Sequence, residues 1–374
     1  MEGILMTTAF ASPSTYVQGD QLLDRAAPYI TPFGDHGLLL ADDIVWQLIG
    51  QKFYDNLTAA HLTIEHVHFN GESSPEEIER IKTIGQQTDA KFVIALGGGK
   101  TNDTTKAVGD ALGIPVVIVP TLASNDSPCT RLSVLYSENG EFLKYLFYDK
   151  NPDLVLVDSA VIAGAPVRFL IDGIADALST NVESRSVSWA RETTLLPLNT
   201  QQTEAGIALA EKCEELLFKY TDQAVAAASD HVVTPALEHI IEANILLSGV
   251  GAESSGLAAA HSFQNGLTAL SGDVHKLSHG QKVAFGTLVN LVLEGASDAR
   301  FRKYLDFEVA LGLPTTFADL HLGDATDADL LKVAELATQE GETIHNMGFP
   351  VDARTLLAAM KGADALSRNF QHLN

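Results

Sequence analysis

The chain has 374 residues, with 24 Lys and Arg against 48 Asp and Glu, a formal charge of −24, and 46% hydrophobic residues. That acidity excludes broad recognition of nucleic acid or an anionic membrane surface, which needs clustered Lys and Arg; two cysteines, Cys129 and Cys213, exclude a disulfide framework and a cysteine-built zinc site. The length suggests two domains and a core large enough to need no covalent staple.

Taken in chain order, the first 160 residues alternate short apolar runs with helical patterns. Gly37–Asp42 reads as a buried strand, followed by an amphipathic helix over Ile44–Ala59 and a second strand over Leu62–Phe69. Ser74-Pro75-Glu76-Glu77 announces a helix by its cap, its first-turn proline and the Glu three residues after the cap. Lys91–Leu96 is another buried strand, closed by Gly97-Gly98-Gly99, with a helix expected from about Asn102. Pro115–Pro120 and Leu154–Asp158 complete the strands, while Leu132–Tyr136 and Leu143–Tyr148 around Asn139-Gly140 read as an antiparallel hairpin. Continuous apolar strands alternating with helices predict a doubly wound parallel sheet. Beyond about residue 160, long segments of helical period replace the strands: 166–186, 203–228, 235–267, 278–294 and 327–345. The expectation is therefore an α/β domain over 1–162 and an all-helical domain over 163–374. The N-terminus does not read as a secretion signal, since Glu2 stands where positive charge is wanted, and no window approaches the roughly 20 apolar residues of a membrane span. A cytoplasmic protein is expected.

Three segments carry chemistry. The glycines between a buried strand and a helix let backbone approach a ligand, and the helix start offers N–H groups and partial positive charge to a phosphate. Neither a Walker loop nor a Rossmann fingerprint fits, because Ile94 and Asn102 stand where those motifs need glycine. The polar turn Thr121–Ser127 leaves the next strand at the same carboxyl edge, where ligands of open α/β sheets bind, and Thr121 and Ser124 bring hydroxyls to it. In the helical half, His261 follows the small residues of GLAAA, which suggests burial among close-packed helices and a need for a partner. With His279 at a helix start and Asp176 on an apolar helix, it would give a divalent metal three ligands and leave positions open. Asp172 and His275 are rival ligands on the same grounds.

GGGKTNDTTKA, PTLASNDSPCTRLSVLY, GIADAL, GVGAESSGLAAAHSFQNGLTA and HGQKVAFGTL together, in this order, resemble the glycerol dehydrogenases, the metal-dependent polyol branch of the iron-containing alcohol dehydrogenase superfamily. The resemblance implies a nucleotide-binding α/β domain, a helical domain and an active site in the cleft between them. It places the metal ligands, and hence the catalytic centre, on Asp176, His261 and His279, setting Asp172 and His275 aside. It places dinucleotide contacts on Gly98, Gly99, Lys100, Asp103, Thr121, Ser124, Thr130, Leu132 and Tyr136, and a substrate-lining carboxylate on Asp126. Asp42 matches an acidic residue near the adenosine ribose, which would repel a 2′-phosphate and favour NAD over NADP. The implied activity is reversible NAD-dependent oxidation of glycerol to dihydroxyacetone with one divalent metal, Zn²⁺ foremost, in a homo-oligomer of which an octamer is the family's suggestion. The same chemistry on 1,2-propanediol or 2,3-butanediol, or a nucleotide-binding protein without turnover, are the alternatives. Asn181, Val182 and Gln264 depart from the family pattern and bear on which polyol fits.

Overall fold

The computed structural model describes residues 7–197 and 199–372. Two compact units emerge: one from Ala11–Leu170 with Tyr220–Gly249, the other from the segment up to Phe10, Ile171–Lys219 and the chain from Val250 onward.

The first unit holds a six-stranded parallel sheet. Its strands are β1 (Tyr16–Gly19), β2 (His36–Ala41), β3 (Thr63–His68), β4 (Phe92–Gly97), β5 (Val116–Pro120) and, after an intervening hairpin, β8 (Leu154–Asp158), in the order β1-β8-β5-β4-β2-β3. The central strands β4, β5 and β8 are buried along their whole length, which is why they appear in sequence as unbroken apolar runs. β1 is the difference from expectation. Its residues are all half-buried and include Gln18, so this edge strand carries no apolar run to announce it, yet it pairs in register with β8 from Tyr16 opposite Val155 to Gly19 opposite Asp158.

Helix starts follow the local chemistry. The Ser74 side chain accepts a hydrogen bond from the Glu77 amide at 3.1 Å and caps the helix Pro75–Thr88. The helix behind the glycines begins at Gly99 rather than near Asn102, because Gly98, in extended conformation, already serves as its N-cap. β6 (Leu132–Tyr136) and β7 (Phe142–Phe147) form the separate antiparallel ribbon that the Asn-Gly signal predicts.

Helices make up the second unit and the Tyr220–Gly249 part of the first. Helices Val167–Ala190 and Glu204–Ser229 match the predicted 166–186 and 203–228 closely. The segment read as one helix over 235–267 is broken: Pro235–Glu242 passes through a π-turn at Ala243–Leu247 into Ser248–Ser255, and a new helix, Ala259–Gly266, starts after Gly256 at φ 88°. Helical period survives across such a break, so periodicity alone cannot reveal it. The helix predicted over 327–345 ends at Ala337, and the helices Asp298–Ala310 and Ala353–His372 go unread in the sequence. None of the helices among the described residues is long and apolar enough to cross a membrane.

Candidate functional site

In the helical unit, Asp176, His261 and His279 come together although they lie on three different helices. The sequence achieves this through two close backbone approaches. Gly280 follows His279, and a Cβ there would sit 1.9 Å from the Asp172 carbonyl oxygen, one turn before Asp176. Only glycine lets the helix His279–Leu293 start against the Asp176 helix at that distance. Gly286, a few residues further on, likewise meets the Ala260 carbonyl, where a Cβ would lie 2.5 Å away, so His261 is drawn to the same place. Ser278 fixes the start of the His279 helix by a reciprocal capping box with Gln281.

One side-chain atom from each of the three residues lies within 4.8 Å of the others. Asp176 Oδ1 stands 3.2 Å from His279 Nε2 and 3.5 Å from His261 Nε2. The carboxylate is 2% exposed, and its two oxygens are buried without a satisfying hydrogen bond among the described residues. A carboxylate in that condition is costly unless a cation completes it, and the donor set of one carboxylate and two imidazoles is one that divalent metals use. Burial opposes the charged form of Asp176, but His279 and His261 outweigh it and hold its carboxyl below the usual range. His261 is also buried, which opposes its protonation, yet Glu183 and then Asp176 push its pKa well above the ordinary value. The rivals Asp172 and His275 do not join this group: His275 Nε2 lies 2.6 Å from the Leu270 carbonyl instead.

The partner that a buried His261 requires is Glu183, which sequence reasoning missed. It accepts the Nδ1 hydrogen bond at 2.6 Å. Its position seven residues after Asp176, two turns along the same helix face, was the available signal.

In the sheet unit, the glycine loop and the polar turn meet at the carboxyl edge of β4 and β5. The Thr121 amide donates to the Gly97 carbonyl at 3.0 Å, and a Cβ on Gly99 would press within 3.1 Å of Asn125 Nδ2. Gly98 contributes no capping side chain, so the first-turn N–H groups of the Gly99–Leu112 helix have no side-chain cap. Asp103 and Lys106 hold this region from beneath. Lys106 Nζ lies 2.9 Å from Asp103 Oδ1 and donates to the Ser127 carbonyl at 3.0 Å and to the carbonyls of Thr130 and Leu132. Asp103 Oδ2 accepts from the Val134 amide at 3.0 Å, and burial pushes its carboxyl up, with Lys106 offsetting part of that. Thr130 Oγ1 donates to the Ser127 carbonyl at 3.3 Å. These two charges therefore brace the turn and the start of β6, a role the sequence did not reveal for Lys106.

The remaining residues surround that edge. Lys100 pairs with Glu72 at 2.5 Å, with its ammonium 5.3 Å from the Tyr136 ring centroid. Burial lifts the Tyr136 hydroxyl to about 12, helped by Asp103 and Glu72. Ser124 and Asp126 are half-buried in the polar turn, and Leu132 is half-buried on β6. At the end of β2, Asp42 accepts the Val45 amide at 2.8 Å through Oδ1. Of the residues expected to depart from the family pattern, Asn181 donates to Glu214 at 2.8 Å, Val182 is fully buried and Gln264 is half-buried.

Comparison with known proteins identifies the family. Residues 13–159 match the iron-containing alcohol dehydrogenase family. A glycolaldehyde reductase of Halobacterium salinarum is 45% identical over 366 residues, covering 98% of this chain and 100% of the relative. A glycerol dehydrogenase of Escherichia coli O6:H1 is 43% identical over 365 residues, covering 98% and 99%. The crystal structure of glycerol dehydrogenase from Schizosaccharomyces pombe superposes with a TM-score of 0.94 at 38% identity, covering 98% of this chain and 93% of that one. The chain is thus an oxidoreductase that belongs to the iron-containing alcohol dehydrogenase family, in the branch that holds the glycerol dehydrogenases.

Proposed function

We propose that the chain catalyses the reversible NAD-dependent oxidation of glycerol to dihydroxyacetone at a divalent metal, Zn²⁺ foremost. The observation that carries this reading is the buried Asp176 carboxylate, whose oxygens lack a satisfying hydrogen bond beside two imidazole Nε2 atoms. Asp176, His261 and His279 would hold the metal. Once bound, the metal supplies Lewis acidity that eases loss of the substrate's hydroxyl proton, and NAD supplies the hydride acceptor.

The chain's own contribution is position and charge. The uncapped helix start at Gly99, with Gly98 before it, suits a diphosphate, and Lys100 adds a cation beside it. Thr121, Ser124 and Thr130 supply hydroxyls along the adjoining turn, and Leu132 and Tyr136 give an apolar and an aromatic surface. Asp103 acts in this scheme from below, through the Val134 amide and Lys106. Asp42 keeps Oδ2 outside its cap bond and would accept a ribose hydroxyl while repelling a 2′-phosphate. Asp126 would accept hydrogen bonds from the polyol. The reading extends to a homo-oligomer.

A second reading, reduction of glycolaldehyde, draws on the relative at 45% identity. It keeps the centre and runs it toward the alcohol. NADH formation from NAD with glycerol, 1,2-propanediol and 2,3-butanediol, beside NADH consumption with dihydroxyacetone and glycolaldehyde, tests both. Glycerol and dihydroxyacetone should give the highest kcat/KM in their directions. Glycolaldehyde far ahead of dihydroxyacetone would favour the second reading, and no turnover with any of them would reject both.

A further inference from the structure

His261 is a useful ligand only if its ring presents a lone pair, and the fold contains a group that decides this. Glu183 is fully buried, and a buried carboxylate is retained at low cost only when it is hydrogen-bonded. Its two oxygens serve different ends of one task. Oε1 accepts from the backbone amides of Ala258 at 2.9 Å and His261 at 3.1 Å, at the start of the helix Ala259–Gly266. That helix receives no side-chain cap from its own N-cap residue, Ala258, so its orphan amides are satisfied from outside. Asn290 completes the set by accepting from the Ala259 amide at 3.1 Å. Oε2 accepts from His261 Nδ1 at 2.6 Å.

An ionised carboxylate only accepts, so the proton of a neutral His261 ring must sit on Nδ1. The lone pair then falls on Nε2, the atom that faces Asp176 at 3.5 Å. We propose that Glu183 is the positioning residue of the centre: it selects the His261 tautomer that can bind a metal through Nε2 and ties that choice to the start of the helix carrying the ring. This rests on the reading of Asp176, His261 and His279 as metal ligands. Outer hydrogen-bond partners of metal-bound imidazoles typically contribute tenfold to a hundredfold in affinity.

Glu183→Gln cannot satisfy both ends. If its amide oxygen stays on the backbone N–H groups, its NH₂ faces Nδ1 and drives the ring proton to Nε2. If the oxygen turns to the ring, the NH₂ opposes the two backbone donors. Asn290→Ala removes the other acceptor at the same helix start without touching the ring, and so reports a purely structural effect.

The experiment is equilibrium Zn²⁺ affinity, by competition with a chromophoric chelator, for the full-length wild type, Glu183→Gln, Asn290→Ala and His261→Ala. The expected result is a loss of about tenfold to a hundredfold for Glu183→Gln, with Asn290→Ala close to wild type and His261→Ala weaker than either. Wild-type affinity in Glu183→Gln, or an equal loss in Asn290→Ala, would overturn the proposal. If His261→Ala binds Zn²⁺ as tightly as wild type, the ligand assignment itself fails, whatever Glu183 does. Should Glu183→Gln not fold, ¹⁵N NMR of the histidine-labelled, Zn²⁺-loaded wild type decides: the proton on His261 Nδ1 and the metal on Nε2 are expected, and the reverse overturns the proposal.

Discussion

Asp103 and Asp176 are both buried carboxylates on helices, one in each compact unit, and the chain surrounds them differently. Asp103 has an ammonium at 2.9 Å and a backbone amide at 3.0 Å. Asp176 has two imidazoles and no satisfying hydrogen bond among the described residues. A carboxylate closed into a network by its own chain stabilises a local structure, here the turn and β6. One left open beside two imidazoles needs something from outside the chain, which is what a binding centre requires. The contrast separates two kinds of polar residue that look alike in sequence.

Substitutions on each side can sharpen or break that contrast. The largest effect is expected at the open centre. His261→Ala or His279→Ala should lower kcat for glycerol by about three orders of magnitude or more, since a metal's Lewis acidity contributes several kcal/mol and each 1.36 kcal/mol is tenfold. NAD affinity, read by fluorescence titration, should stay within about twofold in either variant, the dinucleotide contacts being assigned elsewhere. Retained turnover would place the chemistry at other residues.

At the closed site the expected loss is stability. Lys106→Met leaves Asp103 buried without its cation, and breaking a buried pair this way costs about 3–5 kcal/mol. Urea denaturation measures it, and an unchanged midpoint would show that Asp103 is not held by this network. Gly280→Ala is intermediate. Its Cβ would strike the Asp172 carbonyl, so the two helices must part, at about 1–3 kcal/mol. Because His279 rides on the displaced helix, Zn²⁺ affinity should fall as well. The smallest effect is the Ser74→Ala cap, about 1 kcal/mol of stability with unchanged kcat.

What was legible follows from the same physics. The buried strands β4, β5 and β8 show as apolar runs because both faces of the sheet are covered, and the Ser74 cap shows as a local motif. β1, half-buried along its length, has neither signal. In the helical unit, period gave most of the long helices but not the break at Gly256, since a positive φ at one residue leaves the apolar spacing on either side intact. The small residues before His261 did signal burial and the need for a partner. They could not name Glu183, which is 78 residues away in sequence. Gly280 and Gly286 were equally hidden, because a backbone approach between helices leaves no pattern in either one alone. Lys106, three residues after Asp103 on a buried helix, is an ordinary helical charge pair until the carbonyls of the following turn are seen around it.

The most direct measurement is metal content and glycerol-dependent NADH formation on one preparation, before chelation, after it and after Zn²⁺ is restored. The account predicts about one metal per chain, loss of both metal and activity with chelator, and recovery of both together. Full activity in chelated protein that holds no metal would contradict it.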